Sequence, residues 1–173
     1  MLRGVVSPTV PSKRVWILAG ISAALPDVDV LSFRLHIPYG SMFGHRGFTH
    51  SLFFAAAWAL IVVWGMFPAL RRFGSAWWRL LAFFFVITAS HGILDAFTDG
   101  GNGIAFFAPF SAQRYFFPWR PIRVSPIGAR FFSARGMETI ESELLCLWVP
   151  GAVLWLAVGA CRQWQASKRR RIP

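Results

Sequence analysis

Three short stretches of this 173-residue chain carry the side chains that can do chemistry. Gly44-His45-Arg46-Gly47-Phe48-Thr49-His50-Ser51 holds two of the four histidines, five residues apart, just before a long apolar run. Imidazole is the commonest side-chain metal ligand and changes charge near neutral pH. Leu25-Pro26-Asp27-Val28-Asp29 places two carboxylates after an apolar segment, and His91 to Gly100 adds His91, Asp95 and Asp99. Mixed imidazole and carboxylate ligands suit Zn²⁺, Mn²⁺ or Fe²⁺, and sites with several carboxylates often hold two ions. His91 and Asp95 are one helical turn apart and can reach one ion. His45 and His50 diverge on a regular helix, but a bend at Gly47 brings them together. The expected metal residues are therefore Asp27, Asp29, His45, His50, His91 and Asp95, holding one or two divalent ions, Zn or Mn foremost. A metal that lowers the pKa of bound water to about 7 supplies a nucleophile for hydrolysis. Arg46 suits an anionic substrate group or transition state. Glu141 is a weaker candidate, as ligand or general base.

Each element of this constellation also has a plainer explanation. Pro-Asp-Val-Asp after a helix can be a turn with a cap. His91 can be a polar contact between helices. His36 lacks a partner motif and reads as a surface residue, and Asp99 and Thr98 can cap or turn the chain. Glu138 and Glu143 can simply favour the positive end of the last helix. The three motifs together argue for chemistry.

The elements that position them are membrane elements. Hydrophobic residues make up 55 % of the chain and charged ones only 14 %, well below the roughly 25 % of soluble domains. The seven acids fall in three tight clusters rather than being spread as solubilising charge. An acid at membrane depth is costly and marks a functional site by default. Cys146 and Cys161 show no CxxC spacing, so neither a disulfide framework nor a thiolate metal site is expected. The 18 basic residues sit in loops and at the ends of apolar segments, where anionic lipid head groups are their natural partners. No recognised module argues for nucleic acid.

Val15 to Leu25 is apolar but short of the roughly 20 residues that cross a bilayer. It is expected as a re-entrant or interfacial helix ended by Pro26. Ser51–Leu70 and Ala76–Phe97 read as spans, the second anchored by Trp77 and Trp78. If that second helix continues, Asp99 joins His91 and Asp95 on one face. Residues 104–136, rich in Phe, Pro and Arg, read as an ordered aromatic loop at the membrane surface. A last helix covers about 138–160, and Lys168-Arg169-Arg170-Arg171 closes a basic tail. The fold expected is an all-α integral membrane protein with about three transmembrane helices, the short N-terminal helix and the Pro-rich surface loop. It forms one membrane-embedded domain over 1–173, with the tail at 162–173. Three crossings leave the N-terminus, the 71–75 turn and the C-terminus on one side with 11 basic residues against seven on the other. That bias makes the tail cytoplasmic and sets the acids and histidines on the opposite face.

These motifs, in this order and spacing, resemble the YdjM-like family of bacterial inner-membrane proteins over roughly residues 15–145. The carriers are Leu25-Pro26-Asp27-Val28-Asp29, His45-Arg46-Gly47-Phe48-Thr49-His50-Ser51 and His91-x-x-Leu94-Asp95-x-x-Thr98. Pro109-Phe110-Ser111 and Arg114-Tyr115-Phe116-Phe117-Pro118 follow the same pattern. That family is described as metal-dependent hydrolases, with some members linked to LexA regulation. The resemblance implies a multi-helix inner-membrane protein with a metal site built from these Asp and His residues. It departs at the start, where the family's Thr-His pair is replaced by Val6-Ser7-Pro8-Thr9-Val10-Pro11, which implies one ligand fewer. The function expected is metal-dependent hydrolysis of a phosphoester or lipid-like substrate. A membrane protein that conducts protons or metal ions with the same polar cluster is the alternative. Oligomeric state is left open.

Overall fold

The computed structural model describes residues 12–169, all-helical and without strands apart from isolated bridges. Val6–Pro11, where the family's Thr-His pair is replaced, and Arg170 and Arg171 of the basic tail lie outside the described residues. The chain divides into two compact units between Pro118 and Trp119.

The first unit opens with α1, Ser12–Ala24, which passes directly into a 3-10 segment, Leu25–Val30, and then α2, Leu31–Arg34. Pro26 was expected to end the helix, but it does not. It occupies the first turn of the 3-10 segment, where the missing N–H has no partner to lose. The helical run Lys13–Arg34 is thereby 22 residues long, enough to cross a membrane, and replaces the short re-entrant helix. The opposite correction applies to the next helix, α3, Leu52–Met66. Ser51 caps it, its hydroxyl accepting the Phe54 N–H at 3.0 Å. Pro68 stops it, because the residue before a proline is pushed out of the helical region, as Phe67 shows with φ −130° and ψ 53°. Its 15 residues rise about 22 Å, less than the expected span. The third long helix, α4, covers Ser75–Ala96. It does not reach Asp99, which lies beyond the Phe97 cap.

α1, α3 and α4 pack through Val15, Ala19, Ala59, Val62, Val63, Leu80 and Phe84, all buried. Between helices in lipid this core stabilises by close packing rather than by excluding water. Trp58 adds an interhelical hydrogen bond, its indole N–H donating to Ser22 Oγ at 2.9 Å. At the other end Arg14 donates to the Met66 carbonyl at 3.0 Å, satisfying a free helix C-terminus.

Two loops close the end of the bundle where α1 and α4 finish and α3 begins. Ile104 and Tyr115 pair as an antiparallel bridge with N···O distances of 2.9 and 3.0 Å. The loops meet where Ala105 N donates to Arg46 O at 3.1 Å and Leu52 N to Phe106 O at 3.0 Å. The Arg114 guanidinium ties them further, donating to the carbonyls of Tyr39, Ser41, His45, Arg46 and Gly103 over 2.8–3.3 Å.

The second unit contains a 3-10 turn at Gly128–Phe132, α5 at Ala134–Glu143, a π turn at Leu144–Trp148 and α6 at Val149–Arg169. The last helix therefore begins before, and ends after, the expected 138–160. Pro150 explains the π turn: its ring and missing N–H disrupt the regular ladder one turn back, and a wider turn accommodates them. The run Ala134–Lys168 is a third helix long and apolar enough to span a membrane, and its most apolar window is entirely unburied. Such a surface is made for lipid.

Candidate metal centre

Asp27 and Asp29 leave the extension of α1 on a tight 3-10 turn, which sends Asp29 inward and leaves Asp27 half-exposed. His45 and His50 come from the loop before α3. Gly47 makes their approach possible: a Cβ there would fall 2.2 Å from the Met42 carbonyl oxygen. The bend sets the two imidazoles edge to face with centroids 5.8 Å apart. His91 and Asp95 face inward from the last turns of α4. Gly92 lets that helix close on the loop, a Cβ there meeting the His50 carbonyl at 2.8 Å.

The side-chain nitrogens and oxygens of Asp27, His50, His91 and Asp95 all lie within 4.8 Å of one another. His50 Nε2 is 3.7 Å from Asp27 Oδ1 and 3.3 Å from Asp95 Oδ2. His91 Nε2 is 3.3 and 3.9 Å from the same two atoms. Donors around one tetrahedral ion with bonds of about 2.0–2.2 Å sit about 3.4 Å apart, so these separations bracket that value. His50 is fully buried, and its Nε2 has no hydrogen-bond partner. An unpaired buried nitrogen pointing at two carboxylates needs either a proton or a cation.

The opposite ring nitrogens are held. His50 Nδ1 lies 3.0 Å from Asp29 Oδ2, and His91 Nδ1 lies 2.8 Å from the Ala23 carbonyl oxygen, which can only accept. Both contacts place the N–H away from the cluster and turn an Nε2 lone pair into it, the usual second contact of a ligating histidine. Asp29 also accepts from His45 Nδ1 at 2.6 Å, from Arg46 N at 2.9 Å and from Thr49 Oγ1 at 2.6 Å. Both of its oxygens are thus engaged. Arg46 is buried with a left-handed backbone, φ 61°. Its guanidinium grips Asp95 at 3.0 and 3.1 Å and donates to Thr98 Oγ1 and Gly100 O. Burial disfavours charge on His50, but its contacts with Asp27, Asp29 and Asp95 outweigh that and push its pKa up to about 10.

The donor set and its unpaired nitrogen fit a divalent cation. The structure brings all six sequence-predicted metal residues to one end of the first unit. Asp27, His50, His91 and Asp95 form the four-donor group, and Asp29 and His45 stand behind it, forming a second group with Asp27. Glu141 belongs to the second unit, where it lines a cleft with Phe131, Phe132 and Met137. His36 is exposed.

The family profile of the YdjM inner membrane protein matches residues 2–166. The chain belongs to that family. It is also 42 % identical over 153 residues to the inner membrane protein YbcI of Escherichia coli strain K12, covering 87 % of this chain and 86 % of that protein. No solved structure matches it. Within this YdjM-family chain, sequence reasoning missed Thr49 as a partner of Asp29 and the Ala23 carbonyl that orients His91. Thr49 sits inside the quoted His45–His50 motif, so its position was a usable signal. A backbone carbonyl leaves no trace in a sequence.

Proposed function

We propose that this protein is a membrane-bound, metal-dependent hydrolase acting on a phosphoester. Asp27, His50, His91 and Asp95 hold the divalent ion, Zn or Mn, and Asp29 and His45 support it. The observation that carries the reading is the buried, unpaired His50 Nε2 facing Asp27 and Asp95. When bound, the ion supplies an electrophile for the phosphoryl oxygens and an acidified water.

The chain's own residues prepare that chemistry. Asp29 fixes the His50 ring, the Ala23 carbonyl fixes His91, and Arg46 fixes Asp95, so the donors need little rearrangement. With its donors on Asp95, Thr98 and Gly100, Arg46 acts on the reaction through Asp95. The half-exposed Asp27 leaves one side of the cluster open to substrate. Glu141 remains a weaker candidate for general base. The positive-inside bias favours a cytoplasmic tail and a cluster on the opposite face. Conduction through the bundle would need ionisable groups below the cluster, and the packed core there is apolar.

The test is hydrolysis of a phosphoester panel by detergent-purified protein with Zn or Mn added. Turnover that chelator removes and His50→Ala abolishes is expected. Turnover that persists in His50→Ala contradicts the assignment.

A further inference from the structure

The cluster does not open towards the loops that close its end of the bundle. His50, on the loop side, is fully buried, whereas Asp27 is 54 % exposed and His91 and Asp95 are 18 % and 19 % exposed. The open side is therefore the flank where the extension of α1 meets α4, two of the helices long and apolar enough to span a membrane. The exposed neighbours on that flank are apolar. Val28 and Leu31 follow Asp27, and Leu94 lies one turn beyond His91. Towards the bundle centre, Gly20 and Ala24 are exposed and small, a Cβ on Gly20 meeting nothing within 4 Å. A half-exposed carboxylate flanked by lipid-facing residues is costly in hydrocarbon. It is tolerable at the head-group level, where the end of a span places it.

Resting on the hydrolase reading above, we propose that the substrate is a membrane amphiphile that enters sideways from the bilayer. Its polar ester meets Asp27, His91 and Asp95, and an acyl chain lies along the Gly20–Ala24 face of α1. The pattern fits such a molecule better than a soluble phosphoester. A soluble substrate needs a polar approach, and Val28, Leu31 and Leu94 deny it one. A long-chain lipid keeps its tail among those side chains and presents only its head group to the donors. The basic Arg34, exposed at the end of the same helical run, can pair with an anionic head group.

The test uses full-length protein in phosphatidylethanolamine–phosphatidylglycerol vesicles doped with a phospholipid carrying a diazirine on one acyl chain near the ester. Labelled peptides are mapped by mass spectrometry, and bound metal is measured on the same samples. Labelling enriched on the peptides containing residues 20–31 and 87–94, relative to the lipid-facing α6, is expected. That enrichment should be lost in Ala24→Trp and kept in Ala82→Trp, an exposed position elsewhere on α4. Ala24→Leu, a milder plug, should reduce it if the tryptophan variant fails to fold. Labelling spread evenly over every exposed helix, unchanged by either Ala24 variant, overturns lateral entry. Absence of metal with enriched labelling instead sinks the hydrolase reading and leaves a lipid site.

Discussion

Asp29 does more for the centre than a ligand would. Its two oxygens take the N–H of His45 and of Arg46, the Thr49 hydroxyl and His50 Nδ1, so four groups from one loop are set by one carboxylate. Removing such a supporting contact typically lowers metal affinity by about 10–100-fold while leaving the ligands in place. Asp29→Asn should therefore weaken Zn²⁺ binding by about that factor, measured by competition with a chelating dye. Unchanged affinity would place Asp29 outside the site's chemistry. His50 gives a second handle. Its pKa in the folded, metal-free protein is raised from 6.5 to about 10 by Asp27, Asp29 and Asp95, with His91 the nearby like charge that opposes them. A raised pKa stabilises the fold fully below about 6.5, and that contribution is lost as pH climbs through about 10. The thermal midpoint of metal-free protein in detergent should fall across that window, and His50→Gln should flatten the dependence. Metal must displace the same proton, so its affinity should rise with pH over the same range. The aspartates and histidines were readable from the sequence because few residue types ligate metals and these were grouped. The division of labour between Asp27 and Asp29 was not, because it depends on which carboxylate the 3-10 turn directs inward.

Helix ends decide where the donors stand, and proline placement decides the helix ends. Pro26 lies where a new helical segment begins and is harmless, whereas Pro68 lies just past α3 and shortens it to 15 residues. From sequence alone the two prolines look alike. The difference is whether the chain already needs the N–H that proline lacks. α4 was read nearly correctly, since its apolar length and the glycines at 100 and 101 mark both the element and its stop. Gly47 is the element-level weak point. With the Met42 carbonyl 2.2 Å from where a Cβ would be, Gly47→Ala should push the His45–His50 loop outward. Helix content by circular dichroism should stay near wild type while bound metal is lost. Retained metal in that variant would mean the loop tolerates a different bend.

At the scale of the molecule, composition announced a membrane protein, and the family match to YdjM inner membrane proteins agrees with it. The first unit buries its polar residues at one end and a purely apolar core through its middle. The second presents a long helix with bare apolar faces. That contrast was only partly readable. Hydropathy identifies spans by length, but which helices pack on one another and which face lipid depends on side-chain shape across segments far apart in sequence. The central claim is that the first unit assembles a divalent metal centre from Asp27, His50, His91 and Asp95. Its most direct test is elemental analysis by mass spectrometry of detergent-purified protein, wild type beside a His50→Ala, His91→Ala double variant. About one equivalent of Zn or Mn per chain in the wild type, absent from the folded variant, is the predicted result. A wild type that holds no metal even after reconstitution would contradict it, and the cluster would then be a polar network that packs three helix ends together.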